Sequence, residues 1–156
     1  MKFMMNGALT IGTRDGATIE MAEAAGEENF FLFGLTAEQV AASRGVYSPQ
    51  WHYDHEPETR MVLDLIAANH FSAGEPDVFR PILDALLPHG DYYLHLADLR
   101  SYAEAHAQLG ALYQTQEEWT RKAVLNIAGS GRFSSDRTIA EYARGIWDVA
   151  PCAVAP

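Results

Sequence analysis

The chain has 156 residues, 48% of them hydrophobic, and eleven basic against twenty-one acidic side chains give a net charge of −10. That length corresponds to one ordinary domain, able to hide roughly two thirds of the surface its unfolded chain exposes. The composition argues against disorder, no apolar run approaches the ~20 residues of a spanning helix, and an acidic balance without a basic patch is unsuited to nucleic-acid phosphates or anionic membranes.

In chain order, residues 7–13 (GALTIGT) alternate small and β-branched side chains ahead of the turn RDG, the pattern of a short strand. Residues 18–25 read as a helix stopped by Gly26, a left-handed C-cap candidate. The apolar run FFLF at 30–33 suits a buried parallel strand. Strand, helix, strand is the grammar of a βαβ unit. Thr36 with Gln39 makes a capping-box pair opening a helix over 37–43. Ser48 and Pro49 read as N-cap and first helical position of a segment running to about residue 69, with Val62, Leu65 and Ile66 at helical spacing. Pro76 opens another helix, whose Phe79, Ile82, Leu83, Leu86 and Leu87 share a face and which Pro88, His89 and Gly90 end. Residues 92–96 alternate enough for a third strand. Asp98 is placed to cap a helix over 99–113. Thr115 with Glu118 makes a second capping box, leading into Trp119, Ala123 and Ile127. GSGRFSSD breaks that helix, and Ser135 with Asp136 caps the last one, through Trp147.

The expected fold is therefore α/β and predominantly helical, with about three short strands and about seven helices. A parallel sheet needs both faces covered and usually more strands than three. The pattern reads as the end of a larger doubly wound domain, residues 1–150, followed by a short tail, 151–156.

One residue combination at the start asks for a chemical explanation. Lys2 stands among Met1, Phe3, Met4 and Met5. A lysine amine is nearly all protonated at neutral pH, and apolar surroundings disfavour that charge. An amine so placed can condense with an aldehyde to a Schiff base, as in pyridoxal phosphate proteins. The plain reading is a Met-Lys opening without meaning, and the local residues alone do not choose.

Other clusters are weaker. Gly7, Gly12 and Gly16 match neither the dinucleotide fingerprint nor a phosphate loop, and serve turns or a close backbone approach to a ligand. WHYDHEPE places His52 and His55 near Asp54, Glu56 and Glu58, but no further ligands converge at metal-binding spacing, so no metal site is expected. His70, His89, His95 and His106 are scattered. Ser130, Ser134 and Ser135 do not sit in a nucleophile elbow, and a cap is the better role for the last two. Arg132 and Arg137 flank that turn, where they can pair with acids elsewhere. Asn6 interrupts the weak apolar stretch at the start, so a secretory leader is not expected. The single cysteine, Cys152, cannot form an internal disulfide, which points to a reducing cytoplasm.

Taken together, MKFMMNGALTIGTRDGATIEMAEAAGEENFFLFG and EEWTRKAVLNIAGSGRFSSDRTIAEYARGIW resemble the C-terminal lobe of the α-glucan phosphorylases, the glycogen, starch and maltodextrin enzymes. ADLRSYAEAHAQLGALY runs in parallel with less identity, and the short loops resemble bacterial members more than regulated animal ones. The resemblance implies a two-lobed glycosyltransferase (GT-B) fold of Rossmann-like lobes. It implies cleavage of an α-1,4-glucan by inorganic phosphate to α-D-glucose 1-phosphate, a hexosyl transfer. It further implies pyridoxal phosphate held as a Schiff base by the lysine of the family's NMKFM motif, here Lys2. The cofactor's phosphate group, rather than its carbonyl chemistry, then exchanges protons with the substrate phosphate.

Departures from the pattern limit what carries over. The glycine- and threonine-rich stretch that precedes this lysine in the family is not in the sequence. Nor are the N-terminal lobe and the earlier strands with their basic phosphate-binding residues. Thr18 stands where the family usually has Asn, and the tail is short. No complete catalytic set is expected in this chain. The expectation is an incomplete C-terminal lobe, inactive alone and not holding the cofactor properly, with the N-terminal lobe as its structural partner. The alternative is a non-catalytic helical module, derived from that lobe, that binds another protein.

Overall fold

The computed structural model describes residues 1–150 and Cys152. Apart from Cys152, which is exposed, the expected tail lies outside the described residues. The elements run α1 (Lys2–Met5), β1 (Ile11–Thr13), α2 (Gly16–Ala25), a 3-10 turn (Glu27–Asn29), β2 (Phe31–Phe33), α3 (Ala37–Ser43), α4 (Pro49–His55), α5 (Pro57–Ala67), α6 (Arg80–Leu86), α7 (His95–Tyr113), α8 (Gln116–Ser130), a 3-10 turn (Gly131–Phe133), α9 (Ser135–Tyr142) and a π turn (Ala143–Trp147). Helix dominates, with one small two-stranded parallel sheet, as suits part of a mixed α/β fold. The chain divides into two compact units.

The first unit comprises Met1–Thr10, Gly16–Phe31 and the chain from Leu112. Its spine is α8, which packs against α2 and α1. The close approach of α8 to α2 depends on Gly129: a Cβ there would stand 2.5 Å from the Ala24 carbonyl oxygen. Polar groups lock the contact. Asn126, fully buried, donates through Nδ2 to the backbone oxygens of Asn29 and Lys122, each at 2.9 Å. Asn29 in turn donates to the Ala25 oxygen at 2.8 Å, and the Lys122 amine to the Glu28 oxygen. Backbone carbonyls left open where α2 ends are thus satisfied by side chains. Met4, Met21, Ala22, Ala25 and Phe30 are the buried apolar residues of this unit.

The second unit comprises Ile11–Asp15 and Leu32–Ala111. Its core is Leu63 of α5, Leu83 of α6 and Leu96 of α7, with Tyr53, Ile66, Leu86 and Leu87 packed against it. Burying each leucine contributes about 1.5–3 kcal/mol. The N-termini of α3 and α4 form as the sequence indicates. Gln39 N–H donates to Thr36 Oγ1 at 3.3 Å while Thr36 N–H donates to Gln39 Oε1 at 2.8 Å, a complete capping box. Ser48 caps α4, with Pro49 at its first position.

Several expectations fail locally. Residues 92–96 are not a strand: Asp91 and Leu94 take positive φ (45° and 58°), and α7 has begun by His95. Among the described residues there are therefore two strands, not three. The segment 48–69 is two helices, because Pro57 cannot donate within a continuing helix and Glu56 before it is extended (ψ 104°). The helix read from Pro76 begins only at Arg80. Asp98 lies inside α7 and does not cap it; the Asp91 carboxylate does, accepting from His95 N–H at 3.0 Å and Leu96 N–H at 2.8 Å. Thr115 is the N-cap of α8 by position but makes no side-chain cap bond, since Glu118 turns to Arg121 at 3.1 Å. Ser134, not Ser135, is the N-cap of α9, again without a side-chain cap bond. Gly26 ends α2 with φ 84° but ψ 126°, outside the left-handed helical region.

Candidate functional site around Lys2

The backbone carrying Lys2 is well held. The Asn6 side-chain amide donates to the Lys2 carbonyl at 2.7 Å, and Ala8 N–H donates to the Phe3 carbonyl at 3.0 Å. Gly7 completes this stop with φ +80°, a conformation that side chains with a Cβ rarely adopt, and lies 3.4 Å from Ile127 of α8 when a Cβ is built on it. Met4 anchors α1, fully buried. The N-terminal amine rests 3.7 Å from the Met21 sulfur.

The side chains around the amine tell a different story. Lys2 itself is exposed. Phe3 is 82% exposed, Met5 56% and Met1 48%. Of the four apolar neighbours named in the sequence, only Met4 is packed within this chain, and it packs inward. The lysine therefore projects from an apolar surface rather than from an apolar pocket. The described residues leave it open to water.

The buried polar atoms left open offer nothing to a phosphate. The only buried side-chain atoms without a partner, among the described residues, are Asn29 Oδ1 and Asn126 Oδ1. Both are acceptors, the wrong sign for an anion. These two atoms offer no donor to an anionic group, and no catalytic step follows from them.

The other sequence candidates resolve into structural roles. His52 Nδ1 lies 2.9 Å from Glu56 Oε1, and His55 bonds the Trp51 carbonyl while its ring stacks on that indole at 4.8 Å. No group of three metal-ligating side chains gathers among the described residues. Ser130 donates to the Ile127 carbonyl at 2.6 Å inside the helix. Arg137 pairs with Glu141 at 3.3 Å on the face of α9. Gly16 opens α2 with φ +47°. No helix is long and apolar enough to cross a membrane, among the described residues.

Residues 1–149 match the family profile described as Phosphorylase, carbohydrate phosphorylase. The chain belongs to the carbohydrate phosphorylase family. This phosphorylase chain is 53% identical over 152 residues to the brain form of glycogen phosphorylase from Homo sapiens, 97% of the chain against 18% of that relative. It is 51% identical over 153 residues to the muscle form from Oryctolagus cuniculus, again 97% of the chain and 18% of the relative. It is 50% identical over 149 residues to glycogen phosphorylase from Chlamydia pneumoniae, 96% of the chain and 18% of the relative. The phosphorylase chain thus spans about 18% of the length of the curated relatives it matches.

The residues that sequence reasoning missed lie in the second unit. The sequence reads 92–96 as a strand and Asp98 as a cap and gives Asp91 no role, yet Asp91, Tyr92, Tyr93 and Asp98 line a cavity of about 1190 Å³. The available signal was Gly90-Asp91 four residues ahead of a helical pattern, a turn-plus-cap signature.

Proposed function

We propose that this chain is the part of a pyridoxal-phosphate-dependent α-1,4-glucan phosphorylase that carries the cofactor lysine, Lys2. In that reading the complete enzyme transfers a glucosyl unit from a glucan end to inorganic phosphate, giving α-D-glucose 1-phosphate. The observation that carries it is the family match over residues 1–149, which includes Lys2 within MKFMM. The exposure of Lys2, Phe3, Met1 and Met5 supports it from a second side. A lysine on an apolar surface is what remains when the opposing wall of a cofactor pocket comes from another body of protein. The Rossmann-like lobe, the GT-B arrangement and the N-terminal lobe as partner belong to the same reading.

On its own the chain is then inactive. Glucosyl transfer to phosphate in a cleft depends on positioned charges and excluded water, and an exposed amine offers neither. The 156-residue chain should show no glucan phosphorolysis with inorganic phosphate. A human brain-form glycogen phosphorylase carrying these residues in place of its matching segment should release glucose 1-phosphate. Lys2→Ala in that chimera should abolish both activity and the retained cofactor. A chimera that folds, keeps pyridoxal phosphate and ignores Lys2→Ala would refute the assignment. In the isolated chain, borohydride reduction with pyridoxal phosphate compares Lys2 with Lys122, the other lysine, whose amine is engaged by the Glu28 carbonyl.

A stand-alone interaction module remains the second reading, favoured by one observation. Ile139, Tyr142, Ile146 and Trp147 of α9 and its π turn are exposed together. An apolar face of this kind marks a surface that another protein covers. A defined oligomer or stable complex on size exclusion, with an inactive chimera, would favour the module over the enzyme segment.

A further inference from the structure

We infer that Asn6 is a site of spontaneous modification, an asparagine that deamidates through Gly7 and that α1 holds in check. Asn6-Gly7 is the only asparagine–glycine pair in the chain; Asn29, Asn69 and Asn126 are followed by Phe30, His70 and Ile127. Water is the one co-reactant. The Gly7 backbone nitrogen attacks Asn6 Cγ, the N–Cγ bond forms, and Nδ2 leaves as ammonia with the proton that Gly7 gives up. Water then opens the cyclic imide at either carbonyl, leaving aspartate or isoaspartate. Glycine favours the attack because no Cβ crowds its nitrogen and its backbone turns freely.

Two hydrogen bonds occupy both reactants. Asn6 Nδ2, the leaving nitrogen, donates to the Lys2 carbonyl at 2.7 Å. The Gly7 N–H, which must lose its proton to attack, donates to the Met4 carbonyl at 3.1 Å. Both acceptors belong to α1, so one short helix latches the two halves of the reaction. Asn6 stands at φ −96°, ψ 15°, the conformation of a helix end. Closing the five-membered ring requires the Asn6–Gly7 peptide plane to turn and the side chain to swing off Lys2, which breaks both bonds.

The latch is weak enough to open. α1 has four residues, a single turn that does not hold by itself, and of its apolar side chains only Met4 is buried. A segment so lightly packed opens far more often than the core does. Asn6 is exposed, so water reaches the imide once it forms. The other asparagines are held more firmly. Asn29 and Asn126 are buried with their amides donating to backbone carbonyls. Asn69 Oδ1 accepts from Asp77 N–H at 2.8 Å, and the Cβ of His70 crowds the nitrogen that would attack.

Conversion removes the latch for good. A carboxylate accepts and does not donate, so the Lys2 carbonyl loses its partner and meets a negative charge instead. That charge stands at the carbonyl end of α1, where an anion is unfavourable. Isoaspartate also adds a carbon to the backbone, which takes the Gly7 and Ala8 N–H groups off the Met4 and Phe3 carbonyls. The backbone carrying Lys2 comes loose, while α8 keeps its contact with α2 through Asn126 and Gly129.

The test incubates the 156-residue chain at pH 8, native and in urea, and follows each asparagine by peptide mass spectrometry, with isoaspartate resolved by its separate elution. The expected result is that Asn6 converts first of the four, about tenfold slower in the native chain than in urea. Met4→Ala, which removes the buried anchor of α1, should bring the native rate close to the urea rate. Because that variant can loosen more than α1, Asn6→Asp supplies a second measurement on a chain that carries the product from the start. Its Gly7 and Ala8 amides should exchange with solvent about tenfold faster than in the parent, with the amides of α8 unchanged. Equal rates in native chain and urea, no native conversion at Asn6 while the urea sample converts, or earlier conversion at another asparagine would each overturn the site. Unchanged exchange at Gly7 and Ala8 in Asn6→Asp would overturn its effect on the Lys2 backbone. None of these outcomes depends on the cofactor reading of Lys2, which the chimera and the borohydride adduct test.

Discussion

Asn126 shows how much one side chain can decide. Its amide holds the Asn29 and Lys122 carbonyls at the place where α8 meets the end of α2. Asn126→Leu removes a buried donor and leaves the Asn29 carbonyl without this partner, which costs about 1–3 kcal/mol. Urea unfolding of the variant should show that loss at an unchanged slope. Gly129→Ala should cost about 1–3 kcal/mol, because the opposing atom is the Ala24 backbone and cannot rotate away. Gly131→Ala, with open space around the position, should cost much less. Tyr47 gives a pH signature. Burial, then its hydrogen bond to Asp91 and that carboxylate's charge, push its phenol above the ordinary tyrosine range. The folded value is raised, so stability is whole below the unfolded value of about 10 and falls as pH rises from there through the folded value. Tyr47→Phe should therefore lower stability at pH 8, where the hydrogen bond is lost, yet lose less between pH 10 and 12 than the parent does. Equilibrium unfolding at those pH values checks both halves.

Caps separate the helices that are locally encoded from those that are not. Thr36 and Gln39 sit three apart, and both halves of the box form. Thr36→Ala should destabilise α3 by about 1 kcal/mol, read as a lower melting temperature. Thr115 and Glu118 have the same spacing, yet Glu118 bonds Arg121 and the box is absent. Thr115→Ala should consequently be close to neutral. The difference arises because a capping box competes with any other partner within reach of the same carboxylate, and spacing does not list those partners. The start of α7 makes the same point: Asp91 reaches it from outside the helix through a turn of positive-φ residues. Asp91→Ala should cost more than an ordinary cap, because the half-buried Tyr47 hydroxyl bond goes with it.

For the whole molecule, the exposed apolar side chains are the leading fact. Phe3, Met5, Ile139, Ile146 and Trp147 are all more than half exposed. An isolated domain seldom leaves so much apolar surface open without a partner to cover it. At this scale the prediction is functional: the chain alone gives no phosphorolysis, while the chimera does. A further readout is 8-anilinonaphthalene sulfonate fluorescence, which should be high for the isolated chain.

Much was legible from residues alone, for physical reasons. Apolar runs bounded by glycine placed β2, small residues before Gly26 placed α2, and Ser48-Pro49 placed the start of α4, because each depends on neighbours within a few positions. The long blocks containing Lys2 marked the family, which the match over residues 1–149 then showed. What only the tertiary structure decided depends on atoms far apart in the chain. Residues 92–96 alternate like a strand, yet Asp91 finds Tyr47 and the first amides of α7, leaving a turn that enters that helix at His95. Asp98 finds Leu35, sixty-three residues earlier, and becomes the floor of a cavity instead of a cap. Whether Lys2 is walled in was likewise invisible in MKFMM, because apolar neighbours in sequence are not neighbours in packing: a four-residue helix turns Met4 inward and leaves the amine outside.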